Sequence, residues 1–205
     1  MTSQRIVLKE IHEIYQETGM EIESLFTERL LCYSGMCLFS SMLGGRSGNR
    51  GRCAQPCRLP YTAYKGKQQI SQEEQSYLLS PKDMCTVDIL PEILQAGVYS
   101  LKIEGRMKRP EYAAGVTSVY RKYLDLYEKN PKNYDVAAED RQILLDLYQR
   151  DGFNHGYYHS HNGKEMMAVV NQKEQNKKQK IAGKRNEALF EQLKKEYLDT
   201  KNKKN

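Results

Sequence analysis

Four of the chain's five cysteines fall between Cys32 and Cys57, a stretch of 26 residues that also holds the run Gly44-Gly45-Arg46-Ser47-Gly48-Asn49-Arg50-Gly51. Glycines this dense let a backbone wrap closely, and arginines beside thiols favour thiolate over thiol. The segment therefore reads as a loop built to present sulfur. Its composition suits a metal or an iron–sulfur cluster better than a hydrophobic core.

Other uses of thiols weigh against that reading to different degrees. A single free cysteine is most often a small buried residue, but these four sit between Gly and Arg rather than inside an apolar run. Disulfides have no support, because Met1-Thr-Ser-Gln-Arg5 does not begin a signal peptide and the cysteine count is odd. Zinc is the strongest rival, since four thiolates hold it tetrahedrally. The spacings Cys-x4-Cys, Cys-x15-Cys and Cys-x3-Cys do not match the paired knuckles of a zinc ribbon, which favours a cluster over zinc.

Composition bounds the rest. A chain of 205 residues with 39% hydrophobic content, a mean hydropathy of −0.77 and no Trp is polar with a modest core in its middle. The net charge of +6 is a mild basic bias compatible with an anionic partner such as RNA. No apolar stretch approaches the ~20 residues that span a bilayer, so the reading is of a cytoplasmic protein with no membrane partner.

Helix and strand signals alternate. Leu8 to Gly19 places Leu8, Ile11, Ile14 and Tyr15 on one helical face and stops at a glycine suited to the C′ position, and Met20 to Phe26 reads as a strand. After the cysteine loop, Tyr61 to Lys67 opens a β-hairpin and Ser76 to Ser80 is a short apolar strand closed by Pro81. Asp88 to Gly97 is a helix, Val98 to Ile103 a strand, Glu104-Gly105-Arg106 a turn, and Pro110 to about Glu128 a helix with Tyr112, Val116, Val119, Tyr120 and Tyr123 at helical spacing. Repeated βα units imply a parallel sheet with covered faces.

Roughly three such units are too few to close a barrel, and the chain reads as the second half of something larger. Eight units make a closed parallel barrel of about 250 residues with its chemistry at the C-terminal ends of the strands. Glu23, Phe26, the cysteine loop, Ser80-Pro-Lys-Asp83 and Glu104-Gly-Arg106 all follow strands in this reading and would gather on one face. The fold class is thus α/β, a partial TIM-like barrel over residues 1–129. A helical and Gly/aromatic-rich extension follows over 130–170, then a Lys-rich helical or disordered tail over 171–205. In the extension, Asn130-Pro-Lys-Asn133 is a break, Asp140 to Tyr148 a short helix, and Gly152 to Gly163 a loop. His155, His159 and His161 in that loop read as exposed polar groups rather than metal ligands, lacking helical i, i+4 spacing. The tail, interrupted by Ala188-Leu-Phe190 and Leu193, reads by default as a solvated, partly frayed helix, or as one lying along RNA phosphates.

The run Tyr33-Ser-Gly-Met-Cys-Leu-Phe-Ser-Ser-Met-Leu-Gly-Gly-Arg-Ser-Gly-Asn-Arg-Gly-Arg-Cys-Ala-Gln-Pro-Cys-Arg-Leu-Pro-Tyr61 closely resembles the signature of the peptidase U32 family. So do Leu79-Ser-Pro-Lys-Asp-Met-Cys85, Ala96-Gly97 and Leu101-Lys-Ile-Glu-Gly-Arg-Met-Lys108, and the likeness runs from about residue 4 to about 167. The family was named for a collagenase-like protease activity. Its better understood members resemble oxygen-independent hydroxylases that carry a 4Fe-4S cluster and act on tRNA wobble uridine, ribosomal RNA or a quinone precursor. Members carry an N-terminal half, completing a TIM-like barrel, that this chain lacks.

The resemblance implies cluster ligation by Cys37, Cys53 and Cys85 with one further thiol. The family pattern places that thiol where this chain has Leu30, within Glu23-Ser-Leu-Phe-Thr-Glu-Arg-Leu-Leu-Cys32, so Cys32 substitutes from a displaced position or Cys57 serves in reserve. Cys85 opens the next helix, and helix N-termini favour thiolates. Arg46, Arg50, Arg58 and Lys102 are candidates for phosphate contact, and Glu104 with Arg106 for the catalytic face. The function the resemblance implies first is a 4Fe-4S-dependent, oxygen-independent hydroxylase of tRNA at the wobble uridine, with tRNA or other RNA as partner. The rivals are a U32 collagenase-like protease, and a truncated or inactive fragment whose missing half-barrel comes from a partner chain. No nucleophile–base pair or zincin motif is readable.

Overall fold

The computed structural model describes residues 2–3, 6–27, 37–72, 76–105, 108–148, 152–159, 167 and 187–199. The chain is of mixed α/β architecture. Strands β1 (Thr2–Ser3), β2 (Ile22–Thr27) and β6 (Val98–Ile103) form a parallel sheet in the order β1-β2-β6. Thr2 pairs with Glu23 on one side of β2, and Ile22 with Val98 and Leu25 with Lys102 on the other. Helix α1 (Leu8–Thr18) makes the crossover from β1 to β2. The Val7 N–H donates to the Glu10 carboxylate at its start, and the helix stops at Gly19, whose φ is 60°.

Between β2 and β6 the chain makes one long excursion. It carries α2 (Phe39–Gly44), the antiparallel hairpin β3 (Tyr64–Lys65) and β4 (Gln68–Gln69), strand β5 (Asp83–Met84), a 3-10 turn at Val87–Ile89 and α3 (Leu90–Gln95). The apolar run 76–80, expected as a strand, forms a turn instead, with the Ser80 N–H donating to the Tyr77 carbonyl. The strand lies just after Pro81, which lacks the N–H a ladder needs. β5 does not join the main sheet. It pairs in parallel with β7 (Phe153–Asn154), inside the stretch expected to be loop.

Helix α4 (Pro110–Lys129) opens on Pro110 and buries Tyr112, Val116, Val119, Tyr120 and Tyr123 on the face its spacing predicts. These residues share a core cluster with Phe26, Cys85, Val87, Leu90, Val136 and, from α5 (Ala138–Tyr148), Leu144 and Leu147. A second cluster joins Ile11, Ile22, Ile89, Ile93, Ala96, Val98 and Tyr158 beneath the sheet. Tail residues 187–193 form helix α6, which runs into a single π turn at Lys194–Leu198. The solvated, frayed reading of this segment does not hold. Phe190 and Leu193 bury against α4, where a Cβ on Gly115 would come within 2.8 Å of Leu193 Cδ1 and Leu147 Cδ1, and Arg109 lies over the Phe190 ring at 4.5 Å. A close helix approach at a glycine thus seats the tail's thin apolar stripe.

Among the described residues no barrel closes, and no described helix is long and apolar enough to cross a membrane.

Candidate functional site

The C-terminal end of β2 leads to the first candidate residues. Phe26 is buried there, its ring edge-on to Tyr120 of α4 with centroids 4.2 Å apart. Directly across, Cys85 follows β5 with 1% of its surface exposed and its Sγ 3.6 Å from the Tyr120 Oη. The same phenol oxygen accepts the Thr86 N–H at 2.9 Å, and the Thr86 hydroxyl donates to the Phe26 carbonyl. Asn154 of β7 locks the other side. Its carbonyl accepts the Cys85 N–H at 3.0 Å and its amide donates to the Lys82 carbonyl at 2.9 Å. Backbone and thiol are therefore held from two directions.

That setting changes the chemistry expected of Cys85. The start of a helix favours thiolate, and the Val87 backbone hydrogen bond does pull in that direction, but burial outweighs it and pushes the thiol up to about 11. The thiol is neutral at physiological pH in this arrangement. Asp83, two residues earlier, is also fully buried, as are Ser80 and Pro81.

The cysteine loop packs around α2 and two 3-10 turns, Gly48–Arg50 and Pro56–Arg58. The Ser40 hydroxyl accepts the Ala54 N–H at 2.8 Å, tying α2 to the segment carrying Cys53. Cys53 is exposed, and its sulfur accepts the Gln55 N–H at 3.2 Å; Cys37 and Cys57 are half-buried. Cys32 lies outside the described residues. Sulfur ligands with no carboxylate among them are the right donor set for an iron–sulfur cluster. Their positions here do not complete one: among the described residues no three His, Cys, Asp or Glu side chains come close enough to hold a metal. Cys85 lies in the core while Cys53 faces solvent.

The remaining candidates separate as well. Arg46 Nε donates to the Arg52 carbonyl at 2.9 Å and braces the loop, Arg50 is exposed, and Arg58 is half-buried at the end of its turn. Lys102 Nζ lies 3.6 Å from Glu23 Oε1 across the β2–β6 pair. Glu104 is half-buried just past β6, and Arg106 lies outside the described residues. His159 Nε2 lies 2.9 Å from Glu92 Oε2, and its ring meets His155 edge-on. Burial and the neighbouring His159 hold His155 below the ordinary histidine range. His161 lies outside the described residues.

Sequence reading took Tyr120 only as a core position and passed over Thr86 and Asn154. A tyrosine on the buried face of a helix must find a partner for its hydroxyl, and that requirement was the available signal for the Tyr120 contact.

Comparison with known proteins identifies the family. The profile of peptidase family U32 matches residues 2–168. The chain is 39% identical over 149 residues to "tRNA hydroxylation protein P1" of Bacillus subtilis, covering 69% of this chain and 35% of the relative. It is 43% identical over 120 residues to "23S rRNA 5-hydroxycytidine C2501 synthase" of Escherichia coli, covering 58% of this chain and 18% of that one. It is 35% identical over 136 residues to "Collagenase" of Porphyromonas gingivalis, covering 65% of this chain and 37% of that one. The chain therefore spans well under half the length of each of these relatives. No solved structure matches it significantly. With the profile covering most of its length, the chain belongs to peptidase family U32.

Proposed function

We propose that this chain is part of an RNA hydroxylase that works without molecular oxygen on tRNA, at the wobble uridine. The observation that carries the reading is its identity of 39–43% to relatives named for tRNA hydroxylation and 5-hydroxycytidine synthesis in rRNA. In this reading the parallel β1-β2-β6 sheet, with α1 as its crossover, is a segment of a TIM-like barrel completed by a separate half or partner chain. Location is cytoplasmic, with the RNA.

Cluster ligation by Cys32, Cys37, Cys53 and Cys85, with Cys57 in reserve, belongs to the same proposal. It requires the cysteine loop to close on Cys85 and the thiol to give up its proton. When bound, such a cluster supplies electron transfer. The chain's own residues position that site: Tyr120 and Asn154 fix Cys85, and Ser40 fixes the Cys53 segment. Glu104, just past β6, and Arg106, next but one in sequence, are the residues this reading assigns to contact with substrate.

The alternative, a collagenase-like protease, rests on the 34–35% identity to proteins named "Collagenase". Anaerobic purification with iron, sulfide and zinc analysis distinguishes redox from hydrolytic chemistry. The account expects iron and acid-labile sulfide in equal amounts. Stoichiometric zinc without sulfide, together with cleavage of gelatin, contradicts it.

A further inference from the structure

From Arg29 to Gln72 the chain carries seven Arg and Lys and no Asp or Glu, while the other 161 residues hold 25 basic and 26 acidic side chains. The net positive charge of the protein is thus concentrated in residues 29–72, a window bounded by Glu28 and by Glu73-Glu74. Six of those seven cations, Arg46, Arg50, Arg52, Arg58, Lys65 and Lys67, lie in its described part.

The excursion ends in an unusual element. The β3–β4 hairpin is exposed at all four of its strand residues, with Tyr64 59% exposed and Lys65-Gly66-Lys67 at its tip. A two-stranded hairpin has little stability by itself. This one is tied down at its base: the Ile70 N–H donates to the Ala63 carbonyl at 2.9 Å and the Ala63 N–H to the Ser71 hydroxyl at 3.0 Å. Tyr61 turns inward, its hydroxyl donating to the Pro56 carbonyl at 2.9 Å. One tyrosine anchors the hairpin to the cysteine loop, and another, three residues on, is left facing solvent next to the lysine-bearing tip. A surface seating a protein partner would be depleted in charge at its centre. An exposed aromatic ring in a hairpin whose tip carries two lysines, the nearest carboxylates in sequence being Glu73 and Glu74 beyond its base, is an arrangement that stacks a base and follows a sugar-phosphate backbone.

We propose that the Tyr64–Gln69 hairpin and the basic cysteine loop to which Tyr61 ties it form a contact surface for single-stranded RNA, with Tyr64 stacking on a base and Lys65, Lys67, Arg50 and Arg52 on phosphates. The proposal rests on the RNA-hydroxylase reading and adds the place where the strand is gripped, next to the cysteine loop.

The test uses the full chain and a fluorescein-labelled oligouridylate, with anisotropy titrations between about 50 and 200 mM KCl and a thermal melt of every variant. Tyr64→Ala is expected to weaken binding by about 5- to 150-fold at unchanged melting temperature, with Tyr64→Phe close to the parent. The double variant Lys65→Ala/Lys67→Ala is expected to lower the slope of log affinity against log salt by about 1.4, whereas Lys9→Ala on α1 leaves it unchanged. A parent chain that does not bind oligouridylate overturns the inference. So does binding that the hairpin variants leave untouched, or a protein that occupies Tyr64 and excludes RNA. If hydroxylated uridine is still lost from tRNA in a deletion strain, the hydroxylase reading survives that failure; if it is not, both fall.

Discussion

The Cys85 thiol and the Tyr120 phenol lie 3.6 Å apart in the core, and the same phenol oxygen caps the Thr86 N–H at 2.9 Å. One side chain of α4 thereby fixes both a candidate ligand and the backbone beside it. Tyr120→Phe leaves a buried N–H without its partner, which costs about 1–3 kcal/mol. Urea denaturation is expected to show a loss in that range with the slope m unchanged.

Burial sets the order in which the thiols react. Cys53 is exposed and Cys85 is 1% exposed. In the metal-free chain, iodoacetamide followed by peptide mass spectrometry is expected to label Cys53 first and Cys85 last. Tyr120→Phe should bring Cys85 labelling forward by loosening its surroundings. Early labelling of Cys85 in the parent contradicts the buried placement.

Gly97 carries the tightest contact of the α1 side. Its φ is 97°, and a Cβ there would come 2.4 Å from the Tyr15 Cγ. Both the left-handed backbone and the ring exclude a side chain, so Gly97→Ala is expected to destabilise the fold by about 2 kcal/mol or more. Adding Tyr15→Ala removes the ring contacts but keeps the Tyr15 Cβ at 2.9 Å and the left-handed backbone, so a double-mutant cycle should give a partial coupling between the two sites.

Much of this architecture was legible beforehand. Helix α1 stops at Gly19 and strand β6 starts just after Gly97, and α4 begins at a proline and repeats its apolar residues at helical spacing over 20 residues. The β5–β7 pair was not legible, because two residues per strand are too few for a period to show and the partners lie some seventy positions apart. The seating of Phe190 and Leu193 was hidden for a related reason: a two-residue anchor among charged residues reads as solvated, and the space that Gly115 on α4 leaves for Leu193 shows only in the fold. Cysteine spacing announced a donor set but not its convergence, since sequence distance between Cys53 and Cys85 says nothing of which one the core buries.

Asp140 gives the pH dependence. Burial raises its carboxyl, but hydrogen bonds from Lys122 and Tyr123, both 2.6 Å, together outweigh burial and hold it below the ordinary range. A carboxyl depressed in the folded state adds stability above its unfolded value, and that stability disappears as pH falls through the folded one. Lys122 is largely exposed, so the contribution is discounted to about 1 kcal/mol. Asp140→Asn is expected to lower stability by that amount at pH 7 and to converge with the parent as pH falls below the ordinary carboxylate range in urea melts.

Removing the Phe190 ring tests the tail. Phe190→Ala is expected to cost about 2–3 kcal/mol, more than Arg109→Ala at about 0.5–1, by thermal or urea denaturation. Equal, negligible effects would mean that α6 does not hold to α4 in solution.

The central claim is tested most directly by mass spectrometry of nucleosides from tRNA of a strain lacking this chain. The account predicts loss of the hydroxylated wobble uridine, restored by the parent gene and not by Cys37→Ala or Cys53→Ala variants. Unchanged hydroxylation, with gelatin cleavage lost instead, would contradict it.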